Sequence, residues 1–201
     1  MNGEHFWRHF ALDGGTDYHD VLPLDVCRAD LMGRQWGWIP LWLPMLKNPS
    51  LIPDWTASSR QMLSLVLLHD SLVLPAYMDG HEYHQANAIL TRLGFIDAEF
   101  AGYFDTPPPA TTDDPDVLAS AYVRTGGKSG AAILLITNHS LEDKVARILM
   151  NAGRLELGAG DRKVLEHRSV ETSTPLPVIG DGFTIEIPAK DFRIVSVEGG
   201  T

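Results

Sequence analysis

Three consecutive prolines inside Asp105-Thr-Pro-Pro-Pro-Ala-Thr-Thr-Asp-Asp-Pro-Asp116 divide this sequence more sharply than any other feature. Proline removes a backbone N–H and fixes φ, so a run of it favours extended polyproline II. The Thr and Asp residues around it add turn chemistry. Residues 105–116 therefore read as a semi-rigid linker between a first region, 1–104, and a second, 117–201. The two regions differ in character. All 5 tryptophans (Trp7, Trp36, Trp38, Trp42 and Trp55) precede residue 85, as do most of the histidines.

The second region predicts an all-β antiparallel sandwich. Val117–Thr125 alternates in part, and Ala131–Asn138 (AAILLITN) is an apolar run long enough for a central buried strand. Lys144–Met150, Leu155–Leu157 and Lys163–His167 follow as further strands. Lys144–Met150 also fits a short helix by periodicity, but its neighbours favour strand. Phe183–Ile187 and Phe192–Val197 show period-2 alternation, and Gly180-Asp181-Gly182 is a tight-turn signal. Gly126-Gly127-Lys128-Ser129-Gly130 reads as a hairpin turn and lacks the first glycine of a phosphate-binding loop. Short strands separated by Gly, Asp and Asn turns are the pattern of a sandwich.

The first region predicts an α/β arrangement. A helix is expected from Asp25 through Arg34 and an aromatic-rich strand at Trp36–Leu43, interrupted by Pro40. Then come a helix at Arg60–Asp70, a strand at Leu72–Met78, a helix at His81–Leu93 closed by Gly94, and Ile96–Phe104 as strand or loop. Helices alternating with strands build parallel sheets. Two strands cannot close a barrel, which takes about eight. Either further strands escape the pattern, or the chain is the last part of something longer.

Charge and cysteine content narrow the function classes. With 16 Lys+Arg against 26 Asp+Glu the net charge is -10, which repels a phosphate backbone, so no nucleic-acid partner is expected. The single cysteine, Cys27, excludes an intramolecular disulfide and a cysteine-based zinc site. No apolar run approaches the ~20 residues of a membrane helix, and the N-terminus lacks the pattern of a signal peptide. No membrane partner is expected. No G-x-S-x-G elbow, Walker loop or G-x-G-x-x-G occurs.

Three stretches carry a family resemblance: Arg34-Gln-Trp-Gly-Trp-Ile-Pro-Leu-Trp-Leu-Pro44, Arg60-Gln-Met-Leu-Ser-Leu-Val-Leu-Leu-His-Asp70 and Ile96-Asp-Ala-Glu-Phe-Ala-Gly-Tyr-Phe-Asp105. Followed by Val117–Ser140, with Asn138 at the turn after the central strand, their order resembles the tail of a barrel-type glycoside hydrolase. There the last βα units of a TIM-like barrel run into a C-terminal β-sandwich. The resemblance is to glycoside hydrolase family 123 and its relatives. The resemblance implies a carbohydrate ligand, no cofactor, and O-glycosyl hydrolysis in a full-length enzyme. It also implies that the catalytic carboxyl pair sits on earlier strands, in a missing N-terminal part of the same protein.

On that reading Trp42, Tyr77, Asp79 and His81 are the candidate substrate-binding residues. Asp79 follows the strand Leu72–Met78, at the end where barrel chemistry concentrates, with Tyr77 and His81 beside it. The alternative is that Asp79-Gly80 is a turn and Asp79 caps the next helix. Trp36, Trp38 and Trp42 share one strand parity and offer a platform for sugar rings, or else pack in the core. His69-Asp70 reads as a His–Asp pair or as a cation on a helix C-terminus. His81 and His84 stand at i and i+3 and could share a metal with Asp79, or be solvated; they do not form H-E-x-x-H. Asp17, His19, Asp20 and Asp25 form a polar cluster that would suit a hard cation or a solvated loop.

Overall fold

The structure, a computed structural model, describes residues 23–30, 32, 41–44, 46, 55–124 and 131–199. It divides into two compact units, Met1–His84 and Gln85–Thr201. Trp36, Trp38, Asp17, His19, Asp20 and the glycine-rich turn at 126–130 lie outside the described residues.

In the first unit the described elements are helix α1 (Leu24–Asp30), strand β1 (Leu41–Trp42), helix α2 (Trp55–Leu68) and strand β2 (Leu72–Val73). Strands β1 and β2 pair in parallel, Leu41 opposite Leu72 and Trp42 opposite Val73, with α2 as the crossover between them. Helix α2 contains neither Gly nor Pro, and Met62, Leu63, Leu65, Val66, Leu67 and Leu68 are all buried. A helix apolar around its whole circumference belongs in an interior. Its two buried serines bond back to the helix: Ser59 Oγ donates to the Trp55 carbonyl at 2.6 Å and Ser64 Oγ to that of Gln61 at 2.6 Å. The helix ends where Asp70 takes φ 52 and Ser71 N–H returns to the Val66 carbonyl at 3.0 Å. Among the described residues the parallel sheet has these two strands, and no barrel is seen.

The strand expected at Leu72–Met78 stops at Val73. Pro75 has no N–H for a ladder, and Pro75–Tyr77 turns into a 3-10 helix. Helix α3 (Gly80–Leu93) follows, and the unit division falls inside it. Gly94, at φ 79, closes α3, and Phe95–Asp97 forms a second 3-10 turn.

The second unit is antiparallel. One sheet runs β3 (Glu99–Ala101), β5 (Val117–Arg124), β6 (Ala131–Asn138), β12 (Phe192–Glu198), β8 (Lys163–His167) and β9 (Ser173–Pro175) in spatial order. The other runs β10 (Val178–Ile179), β11 (Gly182–Ile187), β7 (Lys144–Met150) and β4 (Ala110–Thr112). Alternate residues of both sheets, including Val117, Leu134, Ile136, Ile148, Phe183 and Val195, share one apolar core. Alternation is clean only on the outer sheet, where Val145, Arg147 and Leu149 face solvent between buried neighbours. The central strands of the six-stranded sheet, β5, β6 and β12, are buried on both faces. The sheet's second face carries Tyr122, Ile133, Leu135 and Ile194, with the Phe95 ring centroid 5.5 Å from that of Tyr122.

Three details differ from the sequence pattern. The proline segment is built into the sandwich: Ala110–Thr112 pairs with Ile148–Met150 as edge strand β4, and Asn151 N–H reaches the Pro109 carbonyl at 2.9 Å. Prolines fit there because an edge strand needs hydrogen bonds on one side only. Leu155–Leu157 is a turn, not a strand, since Asn151 Oδ1 accepts from Arg154 N–H at 3.1 Å and coils the chain. The expected helix 25–34 is described as Leu24–Asp30. The Gly180-Asp181 turn does join β10 to β11 with Ile179 opposite Gly182. A side chain at Gly182 would put Cβ 2.7 Å from the Ile148 carbonyl oxygen.

Candidate functional site

Asp79 is the most engaged of the four candidate residues. Its Oδ2 accepts from Thr56 Oγ at 2.6 Å and its Oδ1 from the backbone N–H of His81 at 3.0 Å. Its own N–H donates to Ser59 Oγ at 2.8 Å. The Thr56 hydroxyl, helped by the N–H groups of His81 and Glu82, holds the carboxyl below its ordinary range. An acceptor immediately before α3, bonded to the second following N–H, is a helix N-cap. The same side chain also clamps the first turn of α2. Arg60 of α2 pairs with Glu82 of α3 and repeats the link. Both carboxylate oxygens thus serve the chain itself, the arrangement of a positioning residue.

Tyr77 and His81 flank this clamp and are exposed, Tyr77 at 43%. The Tyr77 carbonyl accepts from Leu46 N–H at 2.8 Å, which ties down the backbone and leaves the ring at the surface. Tyr77, Asp79 and His81 are brought together by their common stretch. Trp42 is not on that surface: at 3% exposure its indole lies in the interior, the core-packing alternative. His84 is exposed, edge-on to the Tyr83 ring at 5.5 Å. Among the described residues no group of three His, Cys, Asp or Glu could hold a metal.

His69 is not a cation at a helix end. It is 1% exposed, its Nδ1 donates to the Leu65 carbonyl at 2.8 Å, and burial pushes its pKa down to about 4. Burial also pushes the Cys27 thiol up to about 12, so it is no nucleophile near neutrality.

The sandwich holds buried polar groups to which the sequence pattern gave no chemical role. Asn138, fully buried, donates through its amide to the carbonyls of Glu142 at 2.8 Å, Ile187 at 3.0 Å and Pro188 at 3.1 Å. Its Oδ1 accepts from Ser140 N–H at 2.9 Å and Ser140 Oγ at 2.8 Å. It thereby pins the turn after β6 to the turn after β11. Glu166 is buried against Arg193 at 3.1 Å, and Arg193 reaches Asp191 at 3.1 Å.

His167 Nε2 lies 2.8 Å from Ser196 Oγ, the spacing of a nucleophile and its base. The third partner is wrong for that chemistry. Arg92 Nη2 stands 3.2 Å from Nδ1, and a guanidinium can only donate. Nδ1 must accept, so Nε2 carries the proton and Ser196 is the acceptor. The pair is structural.

No protein-family model and no curated protein sequence matches the chain. Solved structures do. A maltogenic α-amylase, AmyB from Thermotoga neapolitana, is similar over 96% of this chain and 49% of its own, with TM-score 0.51 and 15% identity. A GH30 endoxylanase from Clostridium papyrosolvens is similar over 82% of this chain and 42% of its own, with TM-score 0.42 and 11% identity. A GH27 β-L-arabinopyranosidase from Geobacillus stearothermophilus is similar over 74% and 31%, with TM-score 0.42 and 10% identity. The chain spans less than half the length of each. At these identities the likeness is one of fold, and of these three the α-amylase, with TM-score 0.51, is the one that carries it.

Proposed function

We propose that this chain is the C-terminal portion of a glycoside-hydrolase-like protein: the last βα units of a barrel followed by a β-sandwich, akin to glycoside hydrolase family 123. In this reading the full-length protein hydrolyses O-glycosidic bonds, and the acid/base and nucleophile carboxyls come from polypeptide preceding these residues. This chain contributes a rim to the carbohydrate site. Tyr77 and His81 face the ligand there, and Asp79 orients them through the start of α3. The observation that carries the reading is the fold likeness to a maltogenic α-amylase over 96% of the chain.

The test pairs two measurements. An antibody to the sandwich should detect a product well above 22.1 kDa in the source cells. The purified 201-residue chain should be retarded on polysaccharide affinity gels without hydrolysing aryl glycosides, less so after Tyr77→Ala or His81→Ala. Hydrolysis by the chain alone would overturn the division of labour. A native band at 22.1 kDa would favour the second reading, a stand-alone non-catalytic carbohydrate-binding or structural protein. That reading draws on the sandwich's own closed apolar core.

A further inference from the structure

We propose that Arg92, His167 and Ser196 form an acid-sensitive latch that fastens the last turn of α3 to the six-stranded sheet. The inference is independent of any carbohydrate function. His167 sits on β8, buried, on the sheet face opposite the sandwich core, with Ile194 of β12 and Ser173 of β9 as register neighbours. Arg92 is in the final turn of α3 and is otherwise exposed. Its guanidinium reaches the ring at 3.2 Å, and the ring reaches Ser196 at 2.8 Å.

The latch works only with a neutral imidazole. Arg92 donates to Nδ1 and the Nε2 proton goes to Ser196, so donor, acceptor and donor alternate along the chain. A second proton converts Nδ1 into a donor facing a permanent cation, and the contact changes from attraction to repulsion. The charged groups acting on the ring are Arg92 of α3, which opposes protonation, and Glu198 of β12, which favours it; β9 offers only Ser173. Burial comes first among the causes, Arg92 second, and together they place the ring below its ordinary value. A depressed base contributes stability that is complete above the unfolded value, about 6.5, and is lost as pH falls through the folded one. Arg92 can then turn to solvent, and the end of α3 loosens.

The test is histidine NMR with amide hydrogen exchange. At pH 7.5 the His167 ring should be the Nε2–H tautomer. Between pH 7.5 and pH 5, protection of the Ile89–Leu93 amides, corrected for intrinsic rates, should fall about threefold or more. In His167→Gln, whose amide still offers an acceptor and a donor but does not titrate, that fall should vanish. If the variant does not fold, Arg92→Met serves instead: it should raise the His167 titration midpoint in NMR. An Nδ1–H tautomer, an equal fall in wild type and His167→Gln, or an unmoved midpoint in Arg92→Met would each overturn the latch.

Discussion

Asp79 in the first unit and Asn138 in the second do the same work in different surroundings. Each is a short polar side chain at a junction, and each binds backbone from two directions. Asp79 gathers Thr56 and the start of α3 at a partly exposed site, where water can replace any bond that is lost. Asn138, itself buried, gathers three carbonyls, and that of Ile187 lies inside the protein, where nothing can. The difference teaches that the count of hydrogen bonds matters less than what remains when they are removed. The two units also carry separate probes: every tryptophan lies in residues 1–84, so tryptophan fluorescence follows the first unit alone.

Asn138→Ala should have the largest effect, about 3–5 kcal/mol, because it strands the buried Ile187 carbonyl as well as losing an amide that ties two turns together. Urea unfolding followed by circular dichroism measures it. If tryptophan fluorescence shifts equally, the two units unfold as one and the comparison breaks. Acid comes next. His69 is neutral and buried in the fold, whereas its unfolded counterpart titrates near 6.5. Its contribution is complete above about pH 6.5 and lost as pH falls toward about 4. That displacement corresponds to about 3 kcal/mol. The tryptophan signal should report it, and His69→Gln, if folded, should flatten the pH profile.

Asp79→Ala should cost about 1–2 kcal/mol, the ordinary worth of a helix cap. Its depressed carboxyl makes that contribution present above the unfolded value, about 4, and lost as pH falls through the folded one. A loss as large as that of Asn138→Ala would remove the distinction drawn between the two residues. Arg60→Met should cost about 0.5 kcal/mol, since its pair with Glu82 is partly exposed. The same urea titration checks it.

Much of the sandwich was legible because alternation is a direct imprint of a two-faced sheet. Ala131–Asn138, Lys144–Met150 and Lys163–His167 are strands at the limits the sequence gives them. What alternation does not carry is whether the second face is covered. In Lys163–His167 it marks Val164 as core but cannot tell that His167, on the other face, is buried too. The first unit was harder to read. Leu72–Met78 looks continuous until Pro75 meets a ladder that it cannot join. At the candidate site, capping by Asp79 is local and visible in Asp-Gly ahead of a helix. The Thr56 contact spans 23 residues and leaves no local trace. Trp42 shows the limit of residue type, since a sugar platform and a core tryptophan look alike until exposure is known.

The edges of the two sheets have a consequence for how the protein behaves in a crowd. Strand β4 is preceded by Pro107–Pro109, β9 ends in Pro175, and β10 follows Pro177. Each is an outermost strand. An outermost strand with bare N–H groups invites a passing chain to zip onto it, and proline withholds the donors that zipping requires. Three of the four outermost strands among the described residues therefore carry a guard against edge-to-edge aggregation, and for β4 it lies in the residues that first suggested a linker.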